Sequence, residues 1–243
     1  MRSSGYEADS GSGKAAESFA RQEQNFVALV DGAFAVAAAR SGLHLLCRPG
    51  CTQCCYGVFA IGPADARRLE QGLEALTQAD PDRADRVRQR AAASWQRLAP
   101  AFPGDPVTGR LLLDTNSGTF PPEPGPAFEA FGNDERCPVL DPESGTCDLY
   151  AFRPHTCRIF GPPLAVPDGY AVCELCFTEA DPEAIAAAAL PEAAEATPRA
   201  LDRAAVSEGT PAGLTIVSHL LHPGQASHPK SRRGMTPQVE EFT

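Results

Sequence analysis

Nine cysteines dominate the chemistry of this sequence, and they occupy a few short segments. Four of them follow the spacing C-x3-C-x2-C-C, at Cys47, Cys51, Cys54 and Cys55. The other five begin about 80 residues later, at Cys137, Cys147, Cys157, Cys173 and Cys176. Thiolates are soft ligands that select zinc, copper(I) or iron–sulfur centres. We therefore interpret the two groups as halves of one metal site and treat all nine cysteines as candidate ligands.

The spacing within each half limits the type of centre. Cys51/Cys54 and Cys173/Cys176 are C-x2-C pairs, the spacing at which two thiolates on one turn reach a tetrahedral ion. The chain between these pairs is far longer than in a simple zinc ribbon. Nine thiols also exceed the ligands of one zinc. The alternatives are one zinc with spare cysteines, two zincs, or an iron–sulfur cluster with further thiols nearby.

The adjacent pair Cys54 and Cys55 carries separate information. Adjacent side chains diverge and seldom both reach one mononuclear metal, so either one of the two is a bystander or the site holds more than one metal atom. We expect Cys173 and Cys176 to form a separate pair or a lid on the site. We expect the greatest loss of metal from substitutions at Cys51, Cys54, Cys137 and Cys157.

Basic residues lie near the cysteines in the sequence. Arginines adjoin or closely neighbour them at Arg48, Arg136, Arg153 and Arg158. Their charge would offset a thiolate-rich site and lower the thiol pKa values, unless they are ordinary surface arginines. Two histidines are near enough to be nitrogen ligands or structural residues, His44 and His155, whereas His219, His222 and His228 are remote in sequence.

Composition indicates a mainly helical fold. The chain has 243 residues, of which 43% are hydrophobic but only 7% aromatic, so much of its apolar content is alanine. The net charge of −10 argues against a general nucleic-acid or anionic-membrane surface. We find neither a secretory leader nor an unbroken apolar run long enough to span a membrane. These features predict a cytoplasmic protein, and in the cytosol clustered cysteines favour metal binding over disulfides.

The elements that position the cysteines can be placed approximately. Apolar periodicity predicts helices over residues 14–40, 63–77, 81–98 and 211–222, and Pro191 and Pro198 interrupt a helix-prone stretch over 179–205. The arginines of 81–98 alternate with acidic residues, which predicts a solvated face. Residues 58–61 could form a buried strand, 137–147 reads as a hairpin, and 100–126 reads as a long loop with one strand at 111–113.

These assignments predict a mainly α fold with a small irregular cysteine-rich metal-binding core and one or two short β hairpins. We expect a single helical domain over residues 14–222, with the cysteine-cluster core at about 44–178. The flanking residues 1–13 and 223–243 are expected to be disordered.

The cysteine motifs together resemble a known family. C-x3-C-x2-C-C is followed by C-P-x-L at Cys137, C-x-x-Y at Cys147, R-P-x-x-C-R around Cys157, and then Gly161-Pro162. This order is similar to that of the YkgJ-like cysteine-cluster family, over about residues 44–178. The resemblance implies a bacterial soluble protein that chelates zinc or iron. A flagellin lysine methylase carries a similar cluster, so the resemblance also admits an enzyme.

Two other enzyme classes fit less well. Cys47, Cys51 and Cys54 have the spacing found in radical SAM enzymes, but Gln53 stands where those enzymes have an aromatic residue. Neither C-x2-C pair lies in the strand–helix context of a thioredoxin-like protein. Two hypotheses remain: a protein that binds zinc or iron, with an iron–sulfur cluster as one form, or a cluster-dependent redox or methyl-transfer enzyme. The expected partner is a metal ion, with neither nucleic acid nor membrane.

Overall fold

The structure, a computed structural model, describes residues 11–114, 123–194 and 199–224, without the side chains of residues 11–18. Most of the two predicted disordered ends, residues 1–10 and 225–243, lies outside these ranges. The helices are α1 (Gly11–Ser41), α2 (Pro63–Ala79), α3 (Pro81–Leu98), α4 (His155–Ile159), α5 (Pro182–Ala188), α6 (Arg199–Ser207) and α7 (Val217–Leu221).

Two small antiparallel hairpins complete the regular structure within the described residues. β1 (Gly104–Asp105) pairs with β2 (Arg110–Leu111), and β3 (Leu164–Val166) pairs with β4 (Gly169–Ala171). Short 3₁₀ turns connect many of the remaining segments. The predicted mainly α fold with short hairpins is confirmed.

Local sequence explains where three helices begin. Proline stands at the first position of α2, α3 and α5, where its missing N–H would have no partner within the helix. Asp80 caps α3 by accepting a hydrogen bond from the Arg83 N–H at 3.0 Å, and Asp181 caps α5 through the Ala184 N–H at 2.7 Å. The bounds of α3 agree with the prediction, and α2 extends two residues beyond the predicted 63–77.

One face of α1 is buried. Phe19, Phe26, Val30 and Ala37 recur at helical spacing and pack with residues of α2, α4 and α6 in one apolar cluster. The predicted helix 14–40 is extended by a few residues at its amino end.

The α1 helix also meets a simple criterion for a membrane span. Over Phe19–His44 its most apolar window has a mean hydropathy of 1.5, and 22% of that window is buried. The outer face exposes Leu29 and Val36 by about half. Core helices of soluble proteins, which are mostly buried, and signal sequences near the amino terminus pass the same test of length and composition, so the test is weak evidence for a membrane span. The expectation that the chain has no membrane partner remains a prediction.

Helix α2 lies at the centre of the second apolar cluster. Leu69 of α2 is fully buried and packs in a cluster with Val87 and Ala91 of α3 and Val217 and Leu221 of α7. Helices α3 and α7 are joined by a 2.7 Å hydrogen bond between the hydroxyls of Ser94 and Ser218. Because α2 also contacts α6, it connects the α1 side of the molecule to the α3–α7 side.

The predicted helix over residues 211–222 is wrong for its first half. Only Val217–Leu221 is helical. Thr215 forms an antiparallel bridge with Ile61, with N···O distances of 2.9 and 3.0 Å, and the carbonyl of Leu214 accepts a bond from the N–H of Leu111. Backbone groups engaged with these other segments are not free for helical bonds.

The predicted buried strand at residues 58–61 is reduced to isolated pairings. Gly57 bonds to Glu135 and Val58 to Gly132, whereas Ile61 pairs with Thr215 from a different part of the chain. Since the partner changes within a few residues, no continuous ladder forms. Both Val58 and Ile61 nevertheless face apolar clusters.

The remaining predicted segments are matched in part. The expected loop over residues 100–126 holds the β1–β2 hairpin, and Leu113 beyond it forms a single bridge with Pro124; residues 115–122 lie outside the described residues. The helix-prone stretch 179–205 is broken as expected, into α5 and most of α6, with residues 195–198 outside the description.

A buried histidine lies where α3, α7 and the β1–β2 hairpin meet. His219 of α7 is 3% exposed and packs edge-on against Trp95 at 4.7 Å between ring centroids. Gly109, with φ of +64°, lies against the ring so closely that an added Cβ would stand 1.9 Å from Nδ1. Burial lowers the pKa of His219 to about 4, and the charges of His222 and Arg110 act in the same direction.

This histidine predicts a loss of stability in acid. Between pH 6.5 and 4 the unfolded chain binds a proton at His219 that the folded chain does not, so the free energy of unfolding falls as the pH falls. The loss from this one group is about 3 kcal/mol across that interval. His219→Gln should remove it, as measured by urea unfolding at a series of pH values. His44→Gln, at an exposed position, is the control, and equal pH profiles for wild type and His219→Gln would contradict the assignment.

Candidate metal centre

The first four cysteines lie on two consecutive tight turns. The Cys51 N–H donates to the Arg48 carbonyl at 2.9 Å, and Gly50 takes a φ of +89° between them. A 3₁₀ turn then covers Gln53–Cys55. The segment is therefore a loop followed by a single 3₁₀ turn.

The second half of the sequence attaches directly to the end of this segment. The Cys137 N–H donates to the Cys55 carbonyl at 2.8 Å, and Tyr56 and Arg136 form an antiparallel bridge. Residues 137–147 form a hairpin turn, as predicted, closed by a bridge between Leu140 and Cys147. Helix α4 then brings Cys157 to the same region.

Five thiols therefore meet in this region. We call Cys54, Cys55, Cys137, Cys147 and Cys157 the five-thiol group. Cys54 and Cys55 share a side-chain hydrogen bond, although adjacent side chains were expected to diverge. The charges of Cys137, Cys147 and Cys54 all act on Cys157.

The other four cysteines meet elsewhere, and we call Cys47, Cys51, Cys173 and Cys176 the four-thiol group. The Leu46 N–H donates to Cys176 Sγ at 3.4 Å, and the N–H of Phe177 donates to the carbonyl of His44 at 3.0 Å. A turn with a 2.8 Å bond from the Cys176 N–H to the Cys173 carbonyl presents those two sulfurs together. Gly161 is required beside Cys47, because an added Cβ would stand 2.8 Å from its Sγ.

Burial and mutual repulsion keep most of these thiols protonated. All nine cysteines are free. Burial raises the pKa of Cys47 to about 12, with the charges of Cys176 and Cys51 adding to it, and raises the pKa of Cys137 to about 12. A bound cation would supply the counter-charge that these clusters lack and would favour their thiolate forms.

Cys54 is the exception in the five-thiol group. The hydrogen bond from Cys55 lowers its pKa to about 7, and the positive charge of Arg153 contributes. The same hydrogen bond and burial raise the pKa of Cys55. Among the arginines predicted to offset thiolate charge, Arg153 therefore acts as expected.

Two of the other arginines near cysteines, Arg136 and Arg158, make structural contacts, whereas Arg48 is exposed. Arg136 lies over the Tyr56 ring and donates to its hydroxyl at 3.0 Å. Arg158 is buried and bonds to both carboxylate oxygens of Asp31 at 2.9 Å. That pair ties α4, and with it Cys157, to α1.

The arginines of α3 do not form the simple solvated face that was predicted. Arg83 and Arg90 lie two turns apart on one side of α3, and both pair with Asp148, whose side chain is 1% exposed. Arg90 also donates to the Pro138 carbonyl at 2.8 Å. Asp148 follows Cys147, so this contact holds the hairpin of the five-thiol group against α3. The seven-residue spacing of the arginines could have revealed a common partner, but the sequence did not identify Asp148.

The candidate histidine ligands are occupied by other contacts or lie apart. His155 is buried, with Nε2 placed 2.7 Å from the Ala194 carbonyl and its ring against Phe26. His44 stacks on Phe177 at 5.8 Å. His219 and His222 pack around Trp95, and His228 lies outside the described residues.

The nine thiols suit a metal that prefers sulfur ligands, but their sulfur atoms are not arranged at metal-binding distances. In the part of the chain that the structure describes, no three His, Cys, Asp or Glu side chains stand together at ligand geometry. The thiols within each group nevertheless interact through hydrogen bonds and through their charges, and thiolates are ligands that suit zinc or iron. Binding would require the sulfurs to converge.

Comparison with known proteins agrees with this donor set. Residues 46–177 match the model of the CxxCxxCC family, a zinc- or iron-chelating domain by its description. The chain belongs to this family. The matched region covers more than half of the 243 residues and contains all nine cysteines. No curated protein and no solved structure matches the chain.

Family membership confirms the resemblance based on the cysteine motifs. The chain carries a zinc- or iron-chelating domain, and a metal ion is its partner. The spacing did not reveal how the cysteines are grouped. Cys51 and Cys54, treated as one C-x2-C pair, lie in different groups, whereas Cys173 and Cys176 lie together and face Cys47 and Cys51.

The contact between α3 and the hairpin predicts an unequal effect of two aspartates. Asp148→Asn removes the charge that holds Arg83 and Arg90, so we expect the free energy of unfolding to fall by about 2 kcal/mol. Asp85→Asn is the matched control, because Asp85 is 65% exposed and pairs with Arg88 on the surface of the same helix. Chemical unfolding measures both, and equal losses would show that the Asp148 contact is not important.

Proposed function

We propose that this protein holds zinc or iron through cysteine thiolates from both halves of its sequence, and that the metal fixes the cysteine-rich region in its folded form. The observation that supports this most is the collection of nine free thiols into two groups. Each group joins segments that are remote in sequence. In the cytosol, where we place the protein, the thiols would remain reduced and available to metal.

The fold around the thiols supports a structural role for the metal. Regular structure in the cysteine-rich segments is limited to short 3₁₀ turns, α4 and the β3–β4 hairpin. The cluster that contains Cys173 and Cys176 has only a few apolar neighbours, among them Phe177 and Ala188. Linking Cys55 to Cys137 through a metal closes a loop of about 80 residues, which restricts the unfolded chain by about 4 kcal/mol.

All-sulfur coordination is consistent with either zinc or an iron–sulfur cluster. Both use four thiolates, and Nε2 of His155, which lies two residues before Cys157, is engaged with a carbonyl. When bound, either group supplies positive charge that stabilises thiolates. The surrounding residues hold the sulfurs in place: Arg158 fixes α4, and Asp148 fixes the hairpin.

The alternative, a cluster-dependent redox or methyl-transfer enzyme, has less support. The cavity that touches Cys137 has a volume of about 20 Å³, space for about one water. A larger cleft of about 310 Å³ is lined by residues such as Arg97 and Phe131, and none of its lining residues is a cysteine. A substrate in that cleft would not adjoin the thiols.

The metal should be identified from protein purified without oxygen. A brown protein that shows sulfide-to-iron charge-transfer absorbance and contains iron and sulfide in matching amounts would indicate an iron–sulfur cluster. A colourless protein with bound zinc would indicate a zinc site. Serine in place of both Cys54 and Cys137 should reduce the bound metal. Protein that is fully reduced, folded and free of zinc and iron after metal supplementation would contradict the proposal.

Removal of the metal should destabilise the protein unevenly. We expect the melting temperature to fall by about 10 °C, because a loss of about 4 kcal/mol is distributed over a chain of this size. Hydrogen exchange should increase first in residues 45–57 and 136–177, whereas α2 and α3 remain protected. The control is the same chelator treatment followed by return of the metal. If complete stripping leaves the melting temperature unchanged, the structural role is wrong.

A further inference from the structure

The two thiol groups are built on different apolar clusters. Cys173 and Cys176 pack with Leu45, Phe177 and Ala188. Cys137 and Cys147 pack instead in the cluster formed by α2, α3 and α7. The groups therefore belong to separate parts of the core, although the 47–55 segment supplies two cysteines to each.

The four-thiol group has the layout of a complete ligand set. Cys47 and Cys51 flank one turn, closed by the bond from the Cys51 N–H to the Arg48 carbonyl at 2.9 Å. Cys173 and Cys176 flank a second turn, closed at 2.8 Å. The Leu46 N–H donates to Cys176 Sγ, so the two turns are in direct contact. Two facing turns with two thiolates each provide the four ligands of a tetrahedral ion.

Polar contacts outside the sulfurs hold the segment that carries Cys47 and Cys51 against the turn of Cys173 and Cys176. Gln53, which follows Cys51 by two residues and begins the 3₁₀ turn of Cys54 and Cys55, donates from Nε2 to the carboxylate of Glu174, which lies between Cys173 and Cys176. The N–H of Phe177 donates to the carbonyl of His44 on the other side. Because these bonds do not involve the sulfurs, they hold residues 44–53 against residues 173–177 whether or not a metal is bound.

The five-thiol group has further supports of its own, in addition to the bond from Gln53 of its first turn to Glu174. The bond from the Cys137 N–H to the Cys55 carbonyl joins its first two segments. The Asp148 contact with α3 holds Cys147, and the His155 N–H bond to Asp65 at 3.1 Å anchors the start of α4, which carries Cys157. These supports do not pass through Cys173 or Cys176. Five thiols exceed the four that one zinc or one cluster takes, so this group can fill a site without the other group.

We propose that the chain holds two separate metal centres rather than one shared by the two sequence halves. The first is a four-thiolate centre of Cys47, Cys51, Cys173 and Cys176, and the second uses the five-thiol group. This inference rests on the proposed metal binding and adds the number of centres and the ligands of each. It also makes the Cys173/Cys176 pair a necessary part of a centre and not a lid.

The test uses metal-free, reduced full-length protein titrated with Zn²⁺. Native mass spectrometry counts the bound ions, and N-ethylmaleimide labelling followed by peptide mass spectrometry identifies the protected cysteines. We expect at least two ions in the wild type. In Cys173→Ser/Cys176→Ser, we expect Cys47 and Cys51 to become labelled while four cysteines of the five-thiol group stay protected, as in the wild type, and one ion fewer is bound.

The matched variant is Cys137→Ser/Cys147→Ser, which should expose the rest of the five-thiol group and leave the four-thiol group protected. Circular dichroism checks that each variant is folded. Graded removal of Zn²⁺ from the wild type is a second measurement that needs no variant, and it should release the cysteines in the same two sets.

The outcomes separate this inference from the proposed function. A single bound ion in the wild type, or exposure of all remaining cysteines in either folded variant, would overturn the two-centre arrangement and leave metal binding intact. If the wild type binds no Zn²⁺ and all nine cysteines are labelled in its presence, metal binding itself fails, and the two-centre arrangement fails with it.

Discussion

The five-thiol group depends on one backbone junction, the attachment of residues 55–57 to residues 132–137. The Cys137 N–H bonds to the Cys55 carbonyl at 2.8 Å, and the Gly57 N–H bonds to the Glu135 carbonyl at 2.9 Å. These bonds bring together segments separated by about 80 residues, before any sulfur is considered. Without them, α2 and α3 would still pack through Leu69 and Val87, but Cys54 and Cys55 would lose their attachment to the segment that carries Cys137.

Charge is the second constraint, because the thiols are buried close to one another and few positively charged side chains lie near them. Burial, with the charges of other thiols, raises the pKa of Cys157, and the same causes act on Cys47. Arg153 offsets this only at part of the five-thiol group, and Arg158 is committed to Asp31. A bound metal ion would supply positive charge to these thiols, in keeping with a family of zinc- or iron-chelating domains.

Sequence patterns predicted the helical frame well because its signals are local. Asp80 and Pro81 determine the start of α3, and the apolar period of α1 matches its buried face. Sequence patterns failed to predict the backbone conformation where it is determined by pairing with residues far away in the sequence. Residues 211–216 have an apolar pattern suited to a helix, yet Thr215 pairs with Ile61, a residue far away in the sequence.

The same distinction explains what spacing could and could not predict about the site. A C-x2-C interval determines that two sulfurs can reach one ion, but not that they do so. Cys51 and Cys54 have this spacing, yet a 3₁₀ turn begins between them, and each faces a different partner segment. Cys173 and Cys176 have the same spacing and remain together, because the hydrogen-bonded turn between them places both against Leu45 and Phe177. The grouping of ligands therefore follows from which segment packs over each turn, and that depends on contacts such as those of Gln53 with Glu174 and of Cys137 with Cys55.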